Sequence, residues 1–83
     1  MIRIRAAFYG PIEVHQKILN NYQYGFKTFY ADNKMFGDPL PHNIKRLTIF
    51  WDYQVEKHLE IVPYSQYVSE SDKKSIKLPE GRI

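Results

Sequence analysis

Arg46-Leu47-Thr48-Ile49-Phe50-Trp51-Asp52-Tyr53 decides the fold class of this chain. Leu47, Ile49, Trp51 and Tyr53 share one parity, and Arg46, Thr48, Phe50 and Asp52 share the other. A β-branched and aromatic run with period two reads as a strand with one face in a core, and it places Trp51 in that core beside Leu47 and Ile49. Just upstream stands Phe36-Gly37-Asp38-Pro39-Leu40-Pro41. It reads as an ordered connection. Pro39 and Pro41 fix φ and remove two donors, Gly37 permits a conformation closed to other residues, and Asp38 can bond back to nearby amides.

Outward from there, the first segment Ile2 to Tyr9 sets Ile2, Ile4, Ala6 and Phe8 against Arg3, Arg5, Ala7 and Tyr9, a strand with one apolar and one basic face that stops at Gly10-Pro11. From Ile12 to Asn21 the pattern fits a short extended piece running into a helical turn. Tyr22 to Tyr30 reads as a strand bent at Gly25, Ala31 to Lys34 as a turn, and Met35-Phe36 as a short return. Downstream, Leu59 and Ile61 alternate with His58, Glu60 and Val62 in a strand ended by Pro63. Ser69 to Lys74 is a polar turn, and Ser75 to Leu78 is a last short strand. About six short strands with turn signals at roughly 8–12-residue spacing predict an all-β fold, a small antiparallel sandwich or partly open barrel with at most one short helical turn. Residues 1–83 are expected to form a single domain.

Eighty-three residues bury only roughly 60–65% of the unfolded surface, so the core must be dense in large side chains. Seven Tyr, five Phe and one Trp supply that density. Without cysteine there is no disulfide or thiolate metal site, which favours a cytoplasmic, reducing setting. The charged N-terminal residues leave no room for a signal peptide, and no segment approaches the roughly 20 apolar residues of a membrane span. The net charge of +3 helps approach to anionic partners without deciding for one.

Glu56, His58 and Glu60 fall on one strand face and are the nearest approach to a metal set, but polar alternation opposite Leu59 and Ile61 is also what a solvated face shows. No metal site is expected. His15 and His42 lack ligand spacing and read as surface histidines, Ser65, Ser69, Ser71 and Ser75 read as turn residues, and the four isolated glycines make no phosphate loop. No catalytic residue and no cofactor follow from this sequence. The possible binding face is basic and aromatic: Arg3, Arg5, Lys45 and Arg46 with Tyr9, Tyr22 and Tyr24, joined by Lys73, Lys74, Lys77 and Arg82 if the first and last strands pair.

Tyr9-Gly10, Val14, the Phe36 to Pro41 connection, Lys45 and Leu47 opening a strand that reaches Trp51, and the terminal Ser75-Ile76-Lys77-Leu78-Pro79 occur in an order that resembles the C-terminal β-domain of the mitochondrial DnaJ-like protein family, subfamily C member 11. The resemblance implies an interaction or assembly module. It implies no co-chaperone activity, because the chain has no J-domain and Pro41-His42-Asn43 is not the His-Pro-Asp tripeptide. Gln54-Val55 stands where the family's hairpin has a glycine.

The expected function is that of a non-catalytic binding module for another protein or a second copy, using a sheet edge or face. A single-stranded nucleic-acid binder is the alternative, and a carbohydrate-binding domain the third choice.

Overall fold

The computed structural model describes residues 2–38, 40–55 and 60–79. Six strands form two antiparallel sheets: β1 (Ile2–Tyr9), β2 (Ile12–Glu13), β4 (Arg46–Val55) and β5 (Glu60–Ser69) in the order β2-β1-β4-β5, and β3 (Thr28–Tyr30) with β6 (Ser75–Lys77) as a separate pair. α1 (His15–Gln23), α2 (Asn33–Phe36) and a 3-10 turn (Glu70–Asp72) complete the described chain. The fold is thus predominantly antiparallel β.

One face of the large sheet is buried. Ile2, Ile4, Ala7 and Tyr9 of β1, Leu47, Ile49 and Trp51 of β4 and Val68 of β5 meet Ile18 and Tyr22 of α1, Phe36 of α2, Phe29 of β3 and Ile76 of β6, with Leu78 beyond it. Helices and the small sheet form the second layer that a one-sided apolar sheet needs. Trp51 is buried as its register with Leu47 and Ile49 predicts, and its indole stacks on Tyr64 across the ladder at 4.3 Å.

β1 departs from strict alternation. The β1–β4 register slips between Ile4 and Ala6, a bulge that leaves Arg5 as the extra residue. Everything after a bulge changes face. Ala7 and Tyr9 therefore turn inward and Phe8 outward, the reverse of the period-two reading of this segment.

Other segments also differ from their sequence reading. The helical turn before Asn21 extends to nine residues and takes in Tyr22, which lies one turn beyond Ile18 on the same buried stripe. Gly25, at φ 100°, then ends α1 instead of bending a strand. Met35-Phe36 is helical because the Asp32 carboxylate accepts from the Lys34 N–H and caps α2. β5 runs straight through Pro63 for ten residues. Finally, β6 pairs with β3 and not with β1, so the last strand brings no lysines to Arg3 and Arg5.

Candidate functional site

Lys45 is the most constrained charge in the described chain. Its side chain is 2% exposed, yet its Nζ lies 2.7 Å from the Asp38 carboxylate and 2.9 Å from that of Glu70, and it donates to the carbonyls of Asn43 (2.9 Å) and Leu40 (3.3 Å). The ammonium is desolvated but fully paired, the condition under which a buried charge is tolerated. The hydrogen bond it donates to Asp38, with Glu70 adding to it, holds the Lys45 amine above its ordinary value, and Lys45 in turn holds the Glu70 carboxyl below its own. Burial pushes the Tyr9 phenol up, and the nearby Glu70 carboxylate adds to that.

The connection that begins at Gly37 serves this site. Gly37 adopts φ 81° and ψ 179°, a region open essentially to glycine, and this turns Asp38 toward Lys45. Gly10, at φ 58°, has the Lys45 Cγ 3.2 Å from where a Cβ would stand. Tyr9-Gly10, Gly37-Asp38 and Lys45 are parts of one tie that fastens the loop before β4 and the 3-10 turn after β5 onto the end of β1.

The outer face of the large sheet is uncovered by any described residue. Phe8 and Phe50 pack edge-to-face at 6.3 Å, and the Arg46 guanidinium lies 4.9 Å from the centre of the Tyr67 ring. Phe8 and Tyr67 flank Thr48 in the register. At the far end Arg3 and Arg5 reach the Asp52 carboxylate at 3.2 and 3.6 Å, and Asp52 is itself buried between them.

The two edges of this sheet are treated differently. On the β1 side, β2 pairs with Phe8 and Tyr9, the Val14 N–H donates to the Ala7 carbonyl at 2.8 Å, and His15 Nε2 donates to the Ile4 carbonyl at 2.8 Å. On the β5 side no strand is paired among the described residues. The Glu70 N–H donates to the Lys45 carbonyl, so hydrogen-bonded pairs recur at 47/68, 49/66 and 51/64, and the backbone groups of Pro63, Ser65 and Tyr67 point outward. Pro63 to Tyr67 are all exposed.

The candidate face of the sequence reading is therefore dispersed. Arg3, Arg5 and Arg46 share the open sheet face, but Arg3 and Arg5 are committed to Asp52. Lys45, Tyr9 and Tyr22 are buried: Lys45 in the tie, Tyr9 with its hydroxyl on the Asn33 side-chain oxygen, and Tyr22 donating to the Pro79 carbonyl at 2.7 Å. Tyr24 is exposed at the end of α1. Of the structural turn, Gly37 and Asp38 act as read, Pro41 is an exposed turn residue, and Pro39 lies outside the described residues. Glu56, His58 and Leu59 lie outside them too. No group of three or more potential metal ligands occurs among the described residues.

An open cleft of about 570 Å³ beside Trp51 gathers Gly25, Lys27, Thr28, Lys77, Leu78 and Pro79. Among the described residues its lining contains no carboxylate or side-chain amide of the kind that orients sugar hydroxyls. The sequence reading missed His15 as the closure of one edge, and it missed Ser65 and Tyr67 as the free stretch of the other. The signal for the second was present: Ile61 to Ser69 carries no charged side chain. No helix among the described residues is long and apolar enough to cross a membrane. No protein-family model, curated protein or solved structure matches the chain.

Proposed function

We propose that this chain is a non-catalytic binding module that recruits an extended polypeptide segment along the outer edge of β5. The asymmetry of the sheet edges carries this reading. An edge strand is a template for pairing, and proteins ordinarily blunt it with charge, a bulge or a covering segment. Here the β1 edge is bulged, paired and capped by His15, while β5 stays bare from Pro63 to Tyr67 with no charge in it. Strand addition would take affinity from backbone pairing and specificity from side chains flanking the new strand. Tyr67 and Tyr64, both exposed, stand on either face of that position. Kinship with the DnaJ-like subfamily C member 11 domain, which rests on the order of Tyr9-Gly10, Gly37-Asp38 and Lys45 in the sequence, and a cytoplasmic setting, which a cysteine-free chain suits, are part of the same proposal.

A second reading rests on the open face, where Phe8, Phe50 and Tyr67 accompany Arg46 and would offer stacking surface to single-stranded nucleic acid. Two variants separate the readings. Ser65→Pro removes an outward donor without touching the β4–β5 ladder, and Arg46→Glu reverses an exposed charge. Retention of bound polypeptides by the tagged chain should be lost with Ser65→Pro and kept with Arg46→Glu, with no nucleic-acid complex at about 150 mM salt, where the Debye length is about 8 Å. Tight, salt-sensitive binding of single-stranded RNA or DNA that Arg46→Glu abolishes and Ser65→Pro spares would replace the first reading by the second.

A further inference from the structure

We infer that the segment received by β5 is β5 of a second copy, paired antiparallel about a two-fold axis at Gln66. This inference rests on the edge reading above and specifies its occupant. The free edge offers the N–H groups of Ser65 and Tyr67 and the carbonyls of the same residues. With the axis at Gln66, Ser65 of each copy stands opposite Tyr67 of the other, and both residues exchange both bonds. Every free donor of that stretch is then used.

The flanking position decides between registers. Next outward from Ser65–Tyr67 comes Pro63 opposite Ser69 of the second copy. Proline has no N–H, and the Ser69 N–H already goes to the Asp72 carboxylate at 3.3 Å, so neither residue brings a donor that the pair must satisfy. The Pro63 and Ser69 carbonyls stay with solvent at the rim of this register, whereas centring the axis on Ser65 would leave the Tyr67 carbonyl, nearer the axis, without a donor. Charge agrees with self-pairing. A two-fold contact sets residue i against residue j and j against i, and because Pro63 to Ser69 carry no charged side chain, pairing this stretch with itself brings no like charges together. On the other face Gln66 meets Gln66, and two amides can donate to and accept from each other.

Edge pairing alone buries less than the roughly 1,000 Å² of a standard stable interface, so the dimer forms and dissociates with concentration. The absence of cysteine makes a single introduced thiol a clean reporter. Directly opposed positions in an antiparallel pair bring Cβ atoms to about 4.5–5.5 Å, close enough for a disulfide after small adjustment. Gln66→Cys should therefore form a covalent dimer under mild oxidation, while Asn20→Cys on the exposed side of α1 should not. Sedimentation of the unmodified chain should show the mass rising toward two copies with concentration, and Ser65→Pro, losing one bond per copy, should weaken that association about tenfold or more.

A chain that stays monomeric at every concentration, with the Gln66→Cys variant no faster to cross-link than the Asn20→Cys variant, overturns self-pairing. If Ser65→Pro still sheds a different bound polypeptide, the edge reading survives and only its occupant changes; if that variant alters neither association nor retention, both fall.

Discussion

At Lys45 an ammonium only 2% exposed is held between two carboxylates, and the protonation of Lys45 and Glu70 is tied to folding. The Glu70 carboxyl is held below its ordinary 4.5 by Lys45, and the stability this brings is present above that value and lost as pH falls through the lower folded value. Lys45 is held above its ordinary 10.5 by Asp38 and Glu70, and its contribution is full below that value and lost as pH rises through the higher folded one. Melting temperature against pH should thus show a plateau bounded on the acid side by Glu70. Glu70→Gln should lower the plateau and flatten the acid limb; an unchanged acid limb would remove Glu70 from this role. Gly37→Val forces a β-branched residue to φ 81° and should cost more than about 1 kcal/mol in urea unfolding, with Gly10→Val adding a clash against Lys45. Tolerance of both would mean that the tie does not hold the loop.

Among the elements, β1 shows where local pattern stops being informative. Ala7 is fully buried and Phe8 is 39% exposed, although alternation from Ile2 assigns Phe8 to the core and Ala7 to solvent. Ala7→Asp should therefore cost about 3 kcal/mol or more, an uncompensated buried charge, while Phe8→Ser should cost about 1 kcal/mol. Equal losses in chemical denaturation would contradict the bulge. β4 was legible because both neighbours pair with it and its buried face is continuous from Leu47 to Trp51. The bulge was not, since one residue's slip depends on which β4 residue lies opposite, and no spacing within β1 encodes that. Tyr22 was misread for a related reason. Its aromatic neighbours suggest strand, but tertiary burial beside Ile18 fixes a helix that propensity alone leaves open. Pro63 ends a strand only if its nitrogen points into a ladder, and here it points out. Of the candidate residues, the turn was readable because φ constraints are local. The fate of Lys45 depended instead on Asp38 before it and Glu70 after it meeting at one place.

For the whole molecule, the β4–β5 hairpin runs on past Ile2, the last β1 residue paired to β4, and the body measures 47 × 22 × 20 Å. A shape with one long free side and one closed side has a consequence for growth. If both edges of a sheet accept strands, each added copy presents a fresh edge, and addition continues into a fibre. A copy that joins through β5 presents a β1 side whose Ile4 and Ala7 carbonyls are already taken, and growth through β1 is checked there. The His15 imidazole is in this sense a chain terminator for polymerisation. His15→Ala should leave the core intact, expose the Ile4 carbonyl, and permit slow, concentration-dependent scattering with thioflavin fluorescence that Ser65→Pro in the same chain suppresses. A His15→Ala protein that remains clear at high concentration would assign the limit on growth to β2 and the bulge instead.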